Sequence, residues 1–339
     1  MMQVAIESKP SIDLIDVLAQ IRRRVIAVAT AGWPELGSIA DSLFANPLSP
    51  FALLPICTSQ AASGPLAPAV RAAAALLLIE QGMRIVDDCA DGSAAGAVHS
   101  RLGVGRAMNL AMAFQTLGVR ELESLPIVPR RRSAIRTDAF RSMLEICHGQ
   151  DLDLQAGARS LAEYQVVVER KSVAAYEWVA TVGAMIGTDS PALLARCARC
   201  GGELGWMAQI LNDIAAVWFP KPGEEQEFTK PGFPVLLGLH LDHPRARALA
   251  QLLRDGPLDR RQLCALLDEL QVRPRLLTMA LDHRDRALAA LAPELDGEAP
   301  RDNGPSGLLR RVPLRPQGRQ ILTLCLDWLL HDGIRLLGS

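Results

Sequence analysis

Four things are missing from this 339-residue sequence, and each absence narrows its reading. Charge of one sign is missing: 36 basic against 37 acidic residues leave a formal net charge of −1. No basic field therefore points to nucleic acid or an anionic membrane. Long apolar runs are missing as well, although the mean hydropathy of +0.15 is high for a soluble chain. The run Ala72 to Ile79 is bounded by Arg71 and Glu80, far short of a bilayer span, so no stable membrane insertion is expected. The stretch MMQVAIESKPSIDLID lacks a signal-type apolar core, and a cytoplasmic location is expected from it. A cysteine framework is missing: seven thiols are scattered, which fits reduced cysteines. Cys197 and Cys200 in CARC have no second pair to complete a zinc site and read as core residues. His240 and His243 in HLDH have no third ligand nearby and read as surface or capping histidines. Strand signatures are almost missing too.

What is present is helical periodicity. Apolar residues recur at helical spacing through IDLIDVLAQIRRRVIAVAT, VRAAAALLLIEQGMRIVDD, RAMNLAMAFQTLG and DAFRSMLEICHGQDLDLQAG. The same holds for LAEYQVVVERKSVAAYEWVATVGAMIG, for PALLARCARCGGELGWMAQILNDIAAVW and for GRQILTLCLDWLLHDGIRLL. Several are apolar on nearly every side, the mark of helices in the middle of a bundle. Breaks are expected at WPELG, NPLSP, DGSAAG, PIVPRRRS, GTDSP and FPKPGEEQEFTKPGFP. The expected fold is all-α: one domain over 1–339, a single large helical bundle of about ten helices or more.

Against that apolar background the stretch EQGMRIVDDCADGSAAG commits Asp87, Asp88 and Asp91 to one turn. On a helix, Asp87 and Asp91 share a face and Asp88 lies about 100° away. That arrangement suits a hard divalent cation such as Mg²⁺, which takes one or two carboxylates and completes its shell with water and phosphate oxygens. A solvated acidic helix end is the other reading of the same residues. Downstream, CHGQDLDLQ places Gln150, Asp151 and Asp153 on a second helix, and VVVERKSVAAYEW sets Lys171 among apolar residues, where a cation needs an anion. GELGWMAQILNDIAAVW aligns Gln209, Asn212 and Asp213 along a turn, and Lys221 and Lys230 follow in a long loop. Acidic groups on separate helices, a cation between them and a basic loop describe a diphosphate held through metal ions. The GVG at Gly103 to Gly105 lacks a strand and is no nucleotide loop, and Arg130 to Arg132 read as a solvated interhelical loop.

With these residues in place, the chain resembles the trans-isoprenyl diphosphate synthase (polyprenyl synthetase) family of the class I isoprenoid synthases. DDCAD is similar to its first Asp-rich motif, GQDLD to its Gly-Gln-x-x-Asp segment, and Lys171–Ser172 to its Lys-Thr pair. GWMAQILNDIAA and TKPGFPVLL resemble its second Asp-rich region and its later Lys-x-x-x-Pro segment. Order and spacing hold over a catalytic core of about 40–240. The resemblance implies a bundle around a central apolar cavity, a trinuclear Mg²⁺ site and an allylic prenyl diphosphate, with a homodimer usual in the family. Transferred residue by residue, Asp87, Asp88, Asp91, Asp213 and Asn212 become metal ligands. Lys171, Gln150 and Asp153 become catalytic groups, and Gln209, Lys221, Lys230 and Arg101 become substrate contacts.

The departures shape the functional expectation. ANPLSPFALLP carries no charge where the family has Gly-Lys-Arg-x-Arg-Pro, the grip for isopentenyl diphosphate. The family's histidine before the first motif and its Arg-Arg-Gly segment after it are missing, leaving Arg84, His99, Arg101 and Arg106. A second diphosphate buried without cations is prohibitively costly. Ionisation of a C15 or C20 allylic diphosphate followed by cyclisation or elimination is therefore expected ahead of prenyl transfer to isopentenyl diphosphate or another acceptor. A non-catalytic modulatory subunit is the third reading. By the same resemblance, Gly82 and Met83, where the family often has an aromatic that shortens its pocket, imply room for a C15 or C20 chain, while Tyr176, Trp178, Trp206 and Trp218 are candidates for cation–π contacts or plain core packing.

Overall fold

The computed structural model describes residues 13–45, 49–92, 97–156, 160–220, 232–254 and 259–291. Among the described residues there is no strand, as the periodicity predicts. In chain order come α1 (Leu14–Thr30), α2 (Pro34–Leu43), α3 (Pro50–Ala61), α4 (Leu66–Asp91), α5 (Val98–Leu102), α6 (Val104–Glu123) and α7 (Pro129–Ala156). Next, α8 (Leu161–Val168), a π-helical turn (Glu169–Val173) and α9 (Ala174–Gly187) follow without a break. Then come α10 (Pro191–Trp218), α11 (Phe233–His240), α12 (Pro244–Arg254), α13 (Arg260–Glu269) and α14 (Val272–Leu291).

The centre of the bundle is α4, packed against α1, α3, α6 and α9. Residues Ala72 through Ile79 are all buried, whichever way round the helix they point. Four consecutive alanines let neighbours come close, and Leu76, Leu77, Leu78 and Ile79 fill the space between them. Each large aliphatic side chain so buried contributes about 1.5–3 kcal/mol relative to exposure. Gly82 shows how tight the packing is: a Cβ there would lie 2.7 Å from the Ala111 carbonyl oxygen on α6. Its smallness thus serves α6, so the residue does not support the expected room for a longer substrate chain. The helix stops where its carboxylates are spent, because Gly92 closes it in the left-handed conformation, φ 69°.

One expectation needs revision. Arg130 to Arg132 form the first turn of α7, not a loop. Arg130 and Arg131 pair with Asp189 at 3.2 and 3.1 Å, and Arg131 donates to the Ile186 carbonyl at 2.9 Å, so they tie α7 to the α9–α10 connection. For the tryptophans, packing is the reading these contacts favour: Trp206 stacks on His283, Trp218 donates to Asp268 under Arg273, and Trp178 is buried in the core. Cys197 and Cys200 are buried in α10 as expected, with burial pushing the Cys197 thiol up to about 12. His240 and His243 are exposed. No described helix is long and apolar enough to cross a membrane.

Candidate active site

Four helical segments converge on the C-terminal end of α4. The helix itself brings Asp87 and Asp88, α7 brings Gln150 and Asp153, the π turn brings Lys171 and Ser172, and α10 brings Gln209 and Asp213. Close approach of α7 depends on Gly149, where a Cβ would fall 2.7 Å from the Lys171 backbone nitrogen. The π turn widens the helix by one residue per turn where Lys171 projects, a distortion that helices commonly carry at functional sites.

Lys171 is the bridge. Its Nζ donates to Asp87 Oδ1 at 3.0 Å and lies 3.5 Å from Asp153 Oδ2, so one cation joins carboxylates from α4 and α7. All three side chains are partly solvent-accessible at 28%, 37% and 27%, which leaves the carboxylates open to a further ligand.

Among the described residues, the opposite wall is built from dipoles. Asp213 accepts hydrogen bonds from the Tyr164 hydroxyl, from Gln209 Nε2 at 2.9 Å and from the Phe233 backbone N–H at 3.3 Å. Ser172 Oγ donates to Gln209 Oε1 at 2.6 Å, linking this wall back to the π turn. The Tyr164 ring stacks on Phe233, centroids 4.9 Å apart. Burial pushes the Asp213 carboxyl up to about 6, against the pull of its three donors, and the negative charge of Asp153 adds to the rise. Burial first, then the Asp213 charge, likewise drives the Tyr164 phenol far above its usual range.

The fit to Mg²⁺ rests on the chemistry of this donor set. Asp87, Asp153 and Asp213 face a shared space, and Lys171 answers the first two. Among the described residues no three carboxylate, histidine or cysteine groups converge on a single point. That donor set suits an ion that takes one or two carboxylates and shares the rest of its shell with water and phosphate. Gln150 adds a second sign: both its amide atoms are buried without a hydrogen-bond partner among the described residues. Asp87 and Asp88 on α4 would hold the metal, with Asp213 across the shared space and Gln150 on the neighbouring helix α7.

Other expected members stand apart or lie outside the described residues. Arg101 is exposed on α5 with no ion pair to the cluster, and Asn212 is exposed, one step round α10 from Asp213. The Asp91 side chain, Lys221 and Lys230 lie outside the described residues. Tyr164 was not anticipated, although it lies seven residues before Lys171, two turns along the same face. Glu80 was read only as the end of an apolar run. Its carboxylate accepts from Ser49 Oγ at 3.1 Å, inside the uncharged segment noted above.

Comparison with known proteins agrees with the all-α fold. The sequence model described as polyprenyl synthetase matches residues 51–270. A geranylgeranyl diphosphate synthase of Mycobacterium tuberculosis is 28% identical over 214 residues, covering 59% of this chain and 61% of that one. The match thus spans less than two thirds of that relative. Among solved structures, the geranylgeranyl pyrophosphate synthetase of Geoglobus acetivorans superposes with a TM-score of 0.74 at 17% identity, covering 93% of this chain and 96% of that one. A polyprenyl synthase of Caulobacter crescentus, complexed with calcium and isoprenyl diphosphate, gives 0.73 at 18%, covering 93% and 94%.

Proposed function

Because the chain belongs to the polyprenyl synthetase family, we propose that it transfers the prenyl group of an allylic diphosphate to an acceptor. The observation that carries this reading is the two-walled site: Lys171 between Asp87 and Asp153, across from the half-buried Asp213, with the Gln150 amide unpartnered among the described residues. Such walls suit a diphosphate that arrives with its metal. Magnesium, when bound, would offset the charge that builds on the departing diphosphate. Lys171 adds a fixed positive charge at the same place, and Gln150 donates to a phosphate oxygen. The Tyr164–Asp213–Gln209–Ser172 chain holds the far wall rigid, so little reorganisation accompanies ionisation. The apolar lengths of α3, α4 and α9 below the site would shelter the carbocation from water.

The sequence placed cyclisation or elimination first. The family match and the synthase relatives support transfer better, and an enzyme of this family fits them better than a modulatory subunit does. One observation keeps ring closure or proton loss as a second reading: no cation stands at Ser49–Pro50, where a second diphosphate would be gripped. Incubation with farnesyl or geranylgeranyl diphosphate and Mg²⁺, with and without isopentenyl diphosphate or a neutral acceptor, tests both. A prenylated acceptor is the expected product. A hydrocarbon formed at the same rate whether or not an acceptor is present would replace transfer by cyclisation.

A further inference from the structure

One polar station in the bundle is not used by the diphosphate site. Glu80 lies seven residues before Asp87 on α4, which places it on nearly the same face, roughly 10 Å deeper along the helix. The partner helix repeats the descent, with Tyr176 five residues beyond Lys171. The Lys171–Asp87 layer therefore has a Tyr176–Glu80 layer beneath it, and after burial itself the Glu80 charge is what lifts the Tyr176 phenol. From α3, Ser49 Oγ donates to Glu80 while accepting the Phe51 N–H at 3.1 Å, and the Phe51 ring meets Tyr176 edge-on, centroids 5.6 Å apart. Glu80 makes no ion pair among the described residues; the cation whose field reaches it is Arg84, exposed one turn on. Burial pushes the Glu80 carboxyl up to about 7 in spite of Arg84 and Ser49.

We infer that Glu80, with Ser49 and Tyr176, is the acceptor-selecting station of this enzyme: it admits an uncharged acceptor able to donate a hydrogen bond, such as an alcohol or amine, and turns away a second diphosphate. The inference rests on the proposed use of the Asp87–Lys171 layer for the allylic diphosphate. An ionised carboxylate in a half-buried setting repels a multiply charged anion, and neutralising it becomes costly above neutral pH. A hydroxyl or amine meets the opposite reception, since the carboxylate accepts its hydrogen and the Tyr176 phenol donates in return.

The test is calorimetric, at about pH 8, where the carboxyl is ionised. Protein loaded with Mg²⁺ and farnesyl thiodiphosphate, an unreactive allylic analogue, is titrated with isopentenyl diphosphate as the second anion. Wild type should show no saturable second binding event. Glu80→Gln and the smaller Glu80→Ser should each raise affinity for isopentenyl diphosphate by about tenfold or more, because a single charge repulsion has been removed. Affinity for the analogue should stay within about twofold. Ser49→Ala, which keeps the charge, should still exclude the second anion. Tight binding of isopentenyl diphosphate to wild type, or equal gains in Ser49→Ala and Glu80→Gln, overturns the inference. Absence of analogue binding overturns the diphosphate site itself, and this assignment with it.

Discussion

The two walls of the candidate site hold their carboxylates by different means. On one wall Asp87 and Asp153 are held by charge, through Lys171 and in partial contact with solvent. On the other, Asp213 is held by dipoles, a phenol, an amide and a backbone N–H, and its pKa rises because it is buried. An ion pair at an accessible site exchanges partners readily, whereas a buried hydrogen-bonded carboxylate stays where it is put. The first wall thus reads as the one that receives metal and diphosphate, the second as a rigid backstop.

The sharpest way to break this contrast is Asp87→Ala. Diphosphate release from an allylic substrate should fall about a thousandfold or more with the fold intact by circular dichroism, because the receiving wall is gone. Near-normal turnover would remove the metal role of that wall. Lys171→Met should come next, at about a hundredfold, and it leaves Asp87 and Asp153 facing each other without their bridge. If thermal melting shows a large loss of stability while substrate affinity is unchanged, Lys171 is structural.

Tyr164→Phe probes the backstop and should cost about tenfold in turnover, with about 1–2 kcal/mol of stability from the donor withdrawn from Asp213. An effect as large as that of Asp87→Ala would erase the distinction between the walls. The smallest effect on activity, near none, is expected for a charge-held carboxylate away from the site. Burial alone would raise the pKa of Glu121, but hydrogen bonds from Arg24 and Arg71 bring it below the ordinary value of 4.5. A depressed carboxyl contributes stability above its unfolded pKa and loses it as pH falls through the folded one. Glu121→Gln should therefore lower Tm at pH 7, by about 2–4 kcal/mol of stability, and the gap to wild type should close as pH falls below the ordinary carboxylate value of 4.5. A gap that persists in acid would show that the loss is one of packing.

How much of this could be read in advance follows the same division. Asp87, Gln150, Lys171 and Asp213 announce themselves because each sets a polar group into an apolar helix at a recurring spacing. The helices themselves are legible for the reason α4 is: its apolar residues leave no polar face to place in solvent. What escaped depends on distant partners. Glu80 looks like the end of an apolar run until Ser49 and Tyr176 meet it, and Tyr164 looks like core until Asp213 does. Arg130 and Arg131 read as loop because their anchor, Asp189, lies on a connection 58 residues beyond Arg131. Three tryptophans suited to a cation pocket by residue type are taken up by a histidine stack, an aspartate and core packing, none of which has a sequence signature.

The account stands most directly on whether one allylic diphosphate binds through metal at the charge-held wall. Calorimetric titration of farnesyl thiodiphosphate into wild type and Asp87→Asn, each in Mg²⁺ and in EDTA, measures this. The account predicts binding to wild type that weakens by about a hundredfold or more in EDTA, and a variant in which Mg²⁺ no longer restores it. Equal affinity with and without Mg²⁺, or a variant that binds as wild type does, would contradict it.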